Sequence, residues 1–197
     1  MSMNDITSAI EHNNFERVKY LVENGANVNQ EGGRLGSTPL DVAYYQPKML
    51  KYLIEHGADI NDAHKDLLMW ALFTWRCEFE AIKLLIEHGA DVNFPWGSTF
   101  PLIQAVDNDS FDDNALTIVK LLIEHGADVN VKDVIGDTAL VRAICRNNLD
   151  IVKYLLEHGA DVNVKNDNGD TALMKAINKN NQEMVKLLLE HGADMNI

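Results

Sequence analysis

Five histidines stand in one tripeptide, Glu-His-Gly, at His56, His88, His125, His158 and His191. Imidazole is the commonest transition-metal ligand, so a recurring histidine first suggests a metal site. The spacing argues against it. Each histidine belongs to a separate repeat, equivalent points of packed helical repeats lie roughly 10 Å apart, and zinc needs its ligand nitrogens about 2 Å away. A histidine closing a helix can instead meet the last carbonyls and the negative end of the dipole, and that is the expected role. Asp107-Asn108-Asp109-Ser110-Phe111-Asp112-Asp113 opens like a calcium loop. Phe111, however, stands where an oxygen ligand is needed, the turn glycine is missing, and no glutamate closes the loop. Asp107–Asn114 holds four acids and no base, and reads as an exposed acidic loop able to dock a basic partner.

The remaining reactive side chains form no set. Cys77 and Cys145 sit in different repeats without metal or disulfide spacing, as thiols do in a reducing compartment. His12 and His64 stand alone. No glycine-rich phosphate loop and no nucleophile motif occurs. The recurring aspartates are locked to one period, which makes them fold residues. The chain is therefore read as no enzyme, with no catalytic residue, no cofactor and no metal.

Composition narrows the partners. Thirty acids face 17 bases in 197 residues, a formal charge of −13. Nucleic acid and anionic membrane are disfavoured, because affinity for them rests on Lys and Arg. A basic protein surface is favoured, although charge also serves solubility. The apolar share is 46% with four prolines, so no segment reads as linker. The apolar uncharged run Leu67–Trp75 is nine residues, against roughly 20 for a membrane span. The first twenty residues show no secretory pattern, and the cytosol, the cell's own or a host's, is the expected location.

The elements that must carry these residues come from a sixfold phrase: RVKYLVENGANVN, MLKYLIEHGADIN, AIKLLIEHGADVN, IVKLLIEHGADVN, IVKYLLEHGADVN and MVKLLLEHGADMN. Its glycine falls at 25, 57, 89, 126, 159 and 192, a period that signals a stacked repeat array. In the unit Val131–Asn163, Asp133 to Gly136 form a turn and Thr138 caps a short helix from Ala139 to about Arg146. Asn147-Asn148 break it, asparagine tolerating the left-handed conformation. A second helix from Leu149-Asp150 presents Ile151, Val152, Leu155 and Leu156 on one face, and Gly159 stops it.

These units closely resemble the ankyrin repeat. The resemblance is carried by Gly136-x-Thr138-Ala139-Leu140-x-x-Ala143, Gly169-x-Thr171-Ala172-Leu173-x-x-Ala176, Gly36-Ser37-Thr38-Pro39-Leu40-x-x-Ala43 and the Gly-Ala-Asp/Asn-x-Asn endings. It implies an all-α fold, a right-handed solenoid of antiparallel helix pairs with β-hairpin loops. A single domain is expected over 1–197, with repeats at about 1–29 (an N-terminal cap), 30–61, 62–93, 94–130, 131–163 and 164–197. Six helix layers predict a rod some 50–60 Å long.

Departures from the pattern mark what is particular to this chain. Pro47 is expected to open the outer helix of repeat two. Repeat three has Leu67-Leu68-Met69-Trp70 where Thr-Pro-Leu would stand, leaving its inner-helix register open. Repeat four is longer by the acidic loop. The last repeat keeps Met184, Val185, Leu187, Leu188 and Leu189, so its forward face should stay apolar. That predicts end-to-end self-association through repeat six, or continuation into a longer protein.

The resemblance implies a protein partner held by the concave face and hairpin tips. Carried over by alignment, the partner-binding positions are Arg34, Leu35, Tyr45, Gln46, Trp75, Arg76, Trp96, Asp107, Val134, Ile135, Arg146, Asp167, Asn168 and Lys179. Tyr45, Trp75, Arg76 and Trp96 fall on adjacent central repeats, and Tyr, Trp and Arg dominate interface hot spots. Trp96 is expected to be exposed and Trp70 to fill the core; Trp75 could do either. The alternatives are a small-molecule or metal-dependent site in repeats three and four, or a self-assembling structural fragment.

Overall fold

The computed structural model describes residues 4–32, 36–61, 67–74, 78–108 and 114–195. It divides into two compact units, Met1–Asp91 and Val92–Ile197. Among the described residues there are twelve helices and no strand, with one isolated bridge between Trp96 and Thr99.

The first unit holds three helix pairs: α1 (Asn4–Glu11) with α2 (Phe15–Glu23), α3 (Pro39–Ala43) with α4 (Pro47–Glu55), and α5 (Leu67–Phe73) with α6 (Phe79–Glu87). Helix α1 stacks on α3 and α4 on α6. Asn13 at φ 52° turns the chain sharply, and the Asn14 side chain then caps α2 by accepting from the Arg17 N–H at 3.0 Å. Thr38 caps α3 reciprocally: Asp41 N–H donates to Thr38 Oγ1, and Thr38 N–H to the Asp41 carboxylate at 2.7 Å. Pro47 opens α4, where a missing N–H costs nothing. Met49, Leu50 and Leu53 of α4 are buried, each burial worth about 1.5–3 kcal/mol.

Repeat three settles its own register. Leu67, Leu68, Met69, Ala71 and Leu72 are buried, and Ala71 is sealed from solvent like Ala43, Ala105, Ala143 and Ala176. Ala71 is thus the packed alanine of this repeat. Trp70, expected in the core, is 49% exposed. Five apolar neighbours on a seven-residue helix fill the interior and leave the indole on the outer face, beside exposed Phe73 three residues on.

The second unit repeats the plan with α7 (Pro101–Asp107), α8 (Ala115–Glu124), α9 (Ala139–Cys145), α10 (Leu149–Glu157), α11 (Ala172–Asn178) and α12 (Gln182–Glu190). They pair in order, with α7, α9 and α11 stacked in one row and α8 on α10 in the other. Thr138, Asn148, Thr171 and Asn181 cap α9 to α12 through their side chains. Asn147 and Asn180 take φ 59° and 55° at the corners between paired helices.

Each of the five histidines follows the last residue of its outer helix and directs Nδ1 to the carbonyl four residues back, at 2.7–2.9 Å. They are helix stops, as read from the sequence. His12 does the same to Ser8 O after α1.

Candidate partner-binding surfaces

What fixes the projecting turns is a ladder of asparagines. In the first unit Asn29 donates Nδ2–H to Gly57 O at 2.9 Å and accepts the Asp59 N–H at 2.7 Å, and Asn61 treats Gly89 and Asp91 alike. In the second unit Asn93, Asn130 and Asn163 make the same pair of bonds to Gly126 and Asp128, Gly159 and Asp161, Gly192 and Asp194. Each amide donates to one carbonyl and accepts one N–H of the following repeat, so adjacent helix stops share a register. The motif ending in asparagine was visible in the sequence; the inter-repeat clamp was not.

In the second unit a charged hub ties the tips to the inner helices. Arg142 of α9 places Nη1 3.3 Å from the Asp107 carboxylate, Nη2 2.5 Å from Asp133 and Nε 3.6 Å from Asp137. Burial works against its charge, but the hydrogen bond that it donates to Asp133 and the three carboxylates outweigh that, and its pKa is raised. Asp133 also accepts the N–H groups of Ile135 and Asp137, shaping the turn. Asp137 in turn accepts from buried Asn166 of the next tip at 2.7 Å. One repeat on, Lys175 pairs with Asp170 at 2.6 Å in the equivalent place.

The tips themselves are joined by backbone. Val134 N–H donates to Ser98 O at 3.2 Å, and Asp167 N–H to Ile135 O at 3.1 Å. Gly136, at φ 77°, lies against this junction: a Cβ there would stand 2.8–3.0 Å from Asp167 and Asn166 atoms. Only glycine accommodates both the left-handed turn and the close approach. The hydrogen-bonded row of tips carries outward apolar side chains. Val134 is 67% exposed, and Ile135, Phe94 and Trp96 are exposed as well. Asp167 and Asn168 continue the row with exposed polar groups.

Of the residues singled out in the sequence, the structure brings Asp107 and Arg146 together. Arg146 Nε lies 3.4 Å from the Asp107 carboxylate, and its Nη2 donates to the Asp107 carbonyl. Asp107 ends α7 and is held by two arginines, so it is not a free acid on a loop. Residues 109–113 of the acidic segment lie outside the described residues. Lys179 caps α11 and is exposed.

In the first unit Tyr45 is exposed and packs edge-on against Tyr44, ring centroids 5.3 Å apart. Gln46 is half-buried and ties the start of α4 to α1 by donating Nε2–H to Ile10 O, which makes it as much a strut as a contact residue. With Ala71 as the packed alanine, Phe73 and Thr74 occupy the positions that Tyr45 and Gln46 hold one repeat earlier. The sequence alignment had put Trp75 and Arg76 there. Arg34, Leu35, Trp75 and Arg76 lie outside the described residues. Among the described residues no three His, Cys, Asp or Glu side chains gather as a metal-ligand group, and no helix is long and apolar enough to cross a membrane.

The comparisons agree with this architecture. The sequence matches the family described as ankyrin repeats (3 copies) over residues 4–64, 62–133 and 102–197. Similar solved structures include an ankyrin repeat domain from Acinetobacter baumannii AYE, 27% identical with a TM-score of 0.82, covering 96% of this chain and 98% of that one. The ankyrin repeat protein EF0377 is 26% identical with a TM-score of 0.77, covering 98% of this chain and 100% of that one. A chain from the complex of a predatory endopeptidase from Bdellovibrio bacteriovorus with an immunity protein is 23% identical, TM-score 0.70, covering 94% and 97%. The last likeness is one of fold. No protein of curated function matches the sequence.

Proposed function

This chain belongs to the ankyrin repeat family, whose members are generally protein–protein interaction modules, and we propose that it is a non-enzymatic module binding a protein partner through its inner-helix face and hairpin tips. One observation carries the reading. At the inner-helix positions after the packed alanines and at the tips, large apolar side chains face solvent: Tyr45 and Phe73 in the first unit, Trp96, Val134 and Ile135 in the second. Their backbones are held by caps, clamps and the Arg142 hub. Such rigid, outward aromatic and aliphatic groups lose little entropy on binding and are the residues from which hot spots are made.

The partner is a protein with basic groups near its apolar contacts. The net charge of −13 supports this, and Asp167 adds an exposed acid beside Val134 and Ile135. A cytosolic site of action fits the reading. A further surface supports self-association through repeat six: the outward face of α11 and α12, where Ile177 and Leu189 are uncovered.

The test is capture of a partner by the intact chain, then remeasurement with Tyr45→Ala, Phe73→Ala and Trp96→Ala. Weaker binding at unchanged melting temperature is the expected result. Full affinity in all three variants would remove the aromatic positions from the interface.

A further inference from the structure

Repeats one and six differ in the side chains that they leave uncovered. On the outer helices the first residue of the repeated phrase is Met49, Ala81, Ile118, Ile151 and Met184 in repeats two to six, all buried. In repeat one the same position holds exposed Arg17. A guanidinium therefore guards the leading face. The trailing face has no such guard. In repeat five Ile144, Val152 and Leu156 are buried, and α11 of repeat six stacks on α9. Their equivalents in repeat six are Ile177, Val185 and Leu189. Ile177 is 46% and Leu189 38% exposed, and with Val185 they line an open groove of about 610 Å³. Met184 and Leu188 of the same helix pack back and are fully buried, so the outward face alone is left apolar.

From these residues we infer that the groove is a dimer interface in which two copies of this chain meet tail to tail about a two-fold axis. The inference deepens the self-association reading above and rests on it. Continuity is the first ground: the uncovered residues match, type for type, Ile144, Val152 and Leu156, which are buried in repeat five, the repeat on whose α9 repeat six stacks. Charge is the second. Lys186 and Glu190 line the groove and are largely exposed, 3.7 Å apart on one face of α12. Two antiparallel α12 helices crossing about an axis between these residues set Lys186 of each copy against Glu190 of the other, so the face is self-complementary. The head-to-tail arrangement would instead press the Arg17 guanidinium of one copy onto the apolar Val185 and Ile177 of the next, at the cost of part of its hydration. Tail-to-tail contact also closes after two copies, whereas head-to-tail contact propagates into fibres.

The experiment is sedimentation equilibrium or light scattering of the full chain over a wide concentration range, with three sets of variants. Leu189→Glu should raise the dimer dissociation constant at least tenfold while leaving helical content and melting temperature unchanged. Lys186→Glu and Glu190→Lys should each weaken the dimer, and the double exchange should restore it, since both changes lie on exposed side chains that do not threaten folding. A Leu189→Cys variant in a Cys77→Ser/Cys145→Ser background should form a disulfide-linked dimer under mild oxidation, because a two-fold axis brings the position against itself. A strict monomer at every concentration overturns both the inference and the self-association reading. A dimer indifferent to Leu189→Glu overturns the groove. A dimer lost in Leu189→Glu that neither cross-links nor responds to the charge exchange overturns the two-fold geometry while leaving association through repeat six standing. None of these outcomes bears on the inner-helix face, which the partner-capture experiment tests separately.

Discussion

Arg142 and Asp107 come from adjacent inner helices and meet at 3.3 Å, which turns an acid that ends one repeat into a fastener for the next. The same arginine reaches Asp133 and Asp137, whose side chains are nearly sealed from solvent. Removing the cation would strand two buried carboxylates, whereas removing Asp107 leaves Arg142 with two partners. Arg142→Met should therefore cost about 2–4 kcal/mol, toward the lower end because the side chain keeps some solvent contact. Asp107→Asn should cost about 1 kcal/mol or less. Urea unfolding of the two variants checks the ranking. Equal losses would mean that Asp133 and Asp137 do not depend on the arginine.

The asparagine clamp predicts where inter-repeat coupling resides. Asn130 makes two bonds to the next repeat, to Gly159 O at 3.1 Å and from Asp161 N–H at 2.8 Å. Asn130→Ala should cost about 1–3 kcal/mol, two modest hydrogen bonds together. The unfolding transition should also broaden, because repeat arrays owe their cooperativity to neighbour interfaces. A narrow transition with an unchanged midpoint would make the clamp an ornament of the turn.

Two glycines that look alike in sequence should respond differently. Gly136 and Gly159 both have positive φ, but an added Cβ meets the next tip at Gly136 and open space at Gly159. Gly159→Ala should cost about 1 kcal/mol of backbone strain, and Gly136→Ala about 2–3 kcal/mol, since the Ile135–Asp167 backbone bond must also shift. Hydrogen exchange of the Asp167 amide gives an independent readout: faster in Gly136→Ala, unchanged in Gly159→Ala.

On the inner-helix face of the first unit, Phe73 now stands where Tyr45 stands one repeat earlier. If both belong to the interface, each alanine variant should weaken partner binding by about 2 kcal/mol without lowering stability. Calorimetry or surface-based binding with the captured partner measures this beside a thermal melt. A fall in melting temperature with unchanged affinity would return Phe73 to a packing role.

Most of the fold could be read from the chain because its punctuation is local. Thr138, Asn147 and Gly159 cap, turn and stop a helix by chemistry that needs no distant partner, and they sit where the sequence reading put them. Repeat three resisted because Leu67-Leu68-Met69-Trp70-Ala71-Leu72-Phe73 offers no cap and almost no polar contrast, so nothing in the string says which residue packs. Only burial singles out Ala71 and puts Trp70 outside. The Arg142 hub was illegible for another reason. Its three carboxylates are supplied by the end of one helix and by the turn before another, a coincidence that exists only once repeats four and five are stacked. Lys175 and Asp170 hint at it, since they repeat the cation and the acid one period later.

Three groups should weaken the fold as pH rises into the alkaline range. Desolvation raises the phenol pKa of Tyr52 above 10.0, with Glu23 adding to it. It does the same at Tyr154, where Glu124 and Glu157 add. The hydrogen bond to Asp170 raises Lys175 above 10.5 against the opposing pull of burial. In each case the folded state holds its proton more tightly than the unfolded chain. That contribution is complete below the unfolded values and is lost as pH climbs through the folded ones. Stability should hold from roughly pH 8 to pH 10 and then fall, while acid titration near pH 6 leaves these three groups unchanged. Tyr52→Phe and Tyr154→Phe should each make the decline shallower. Tyr52→Phe should cost little stability at neutral pH, because the Tyr52 hydroxyl is buried without a hydrogen-bond partner among the described residues. Denaturant melts at intervals across that range give the slopes directly. A decline equally steep in both phenylalanine variants would assign the alkaline loss to Lys175 alone.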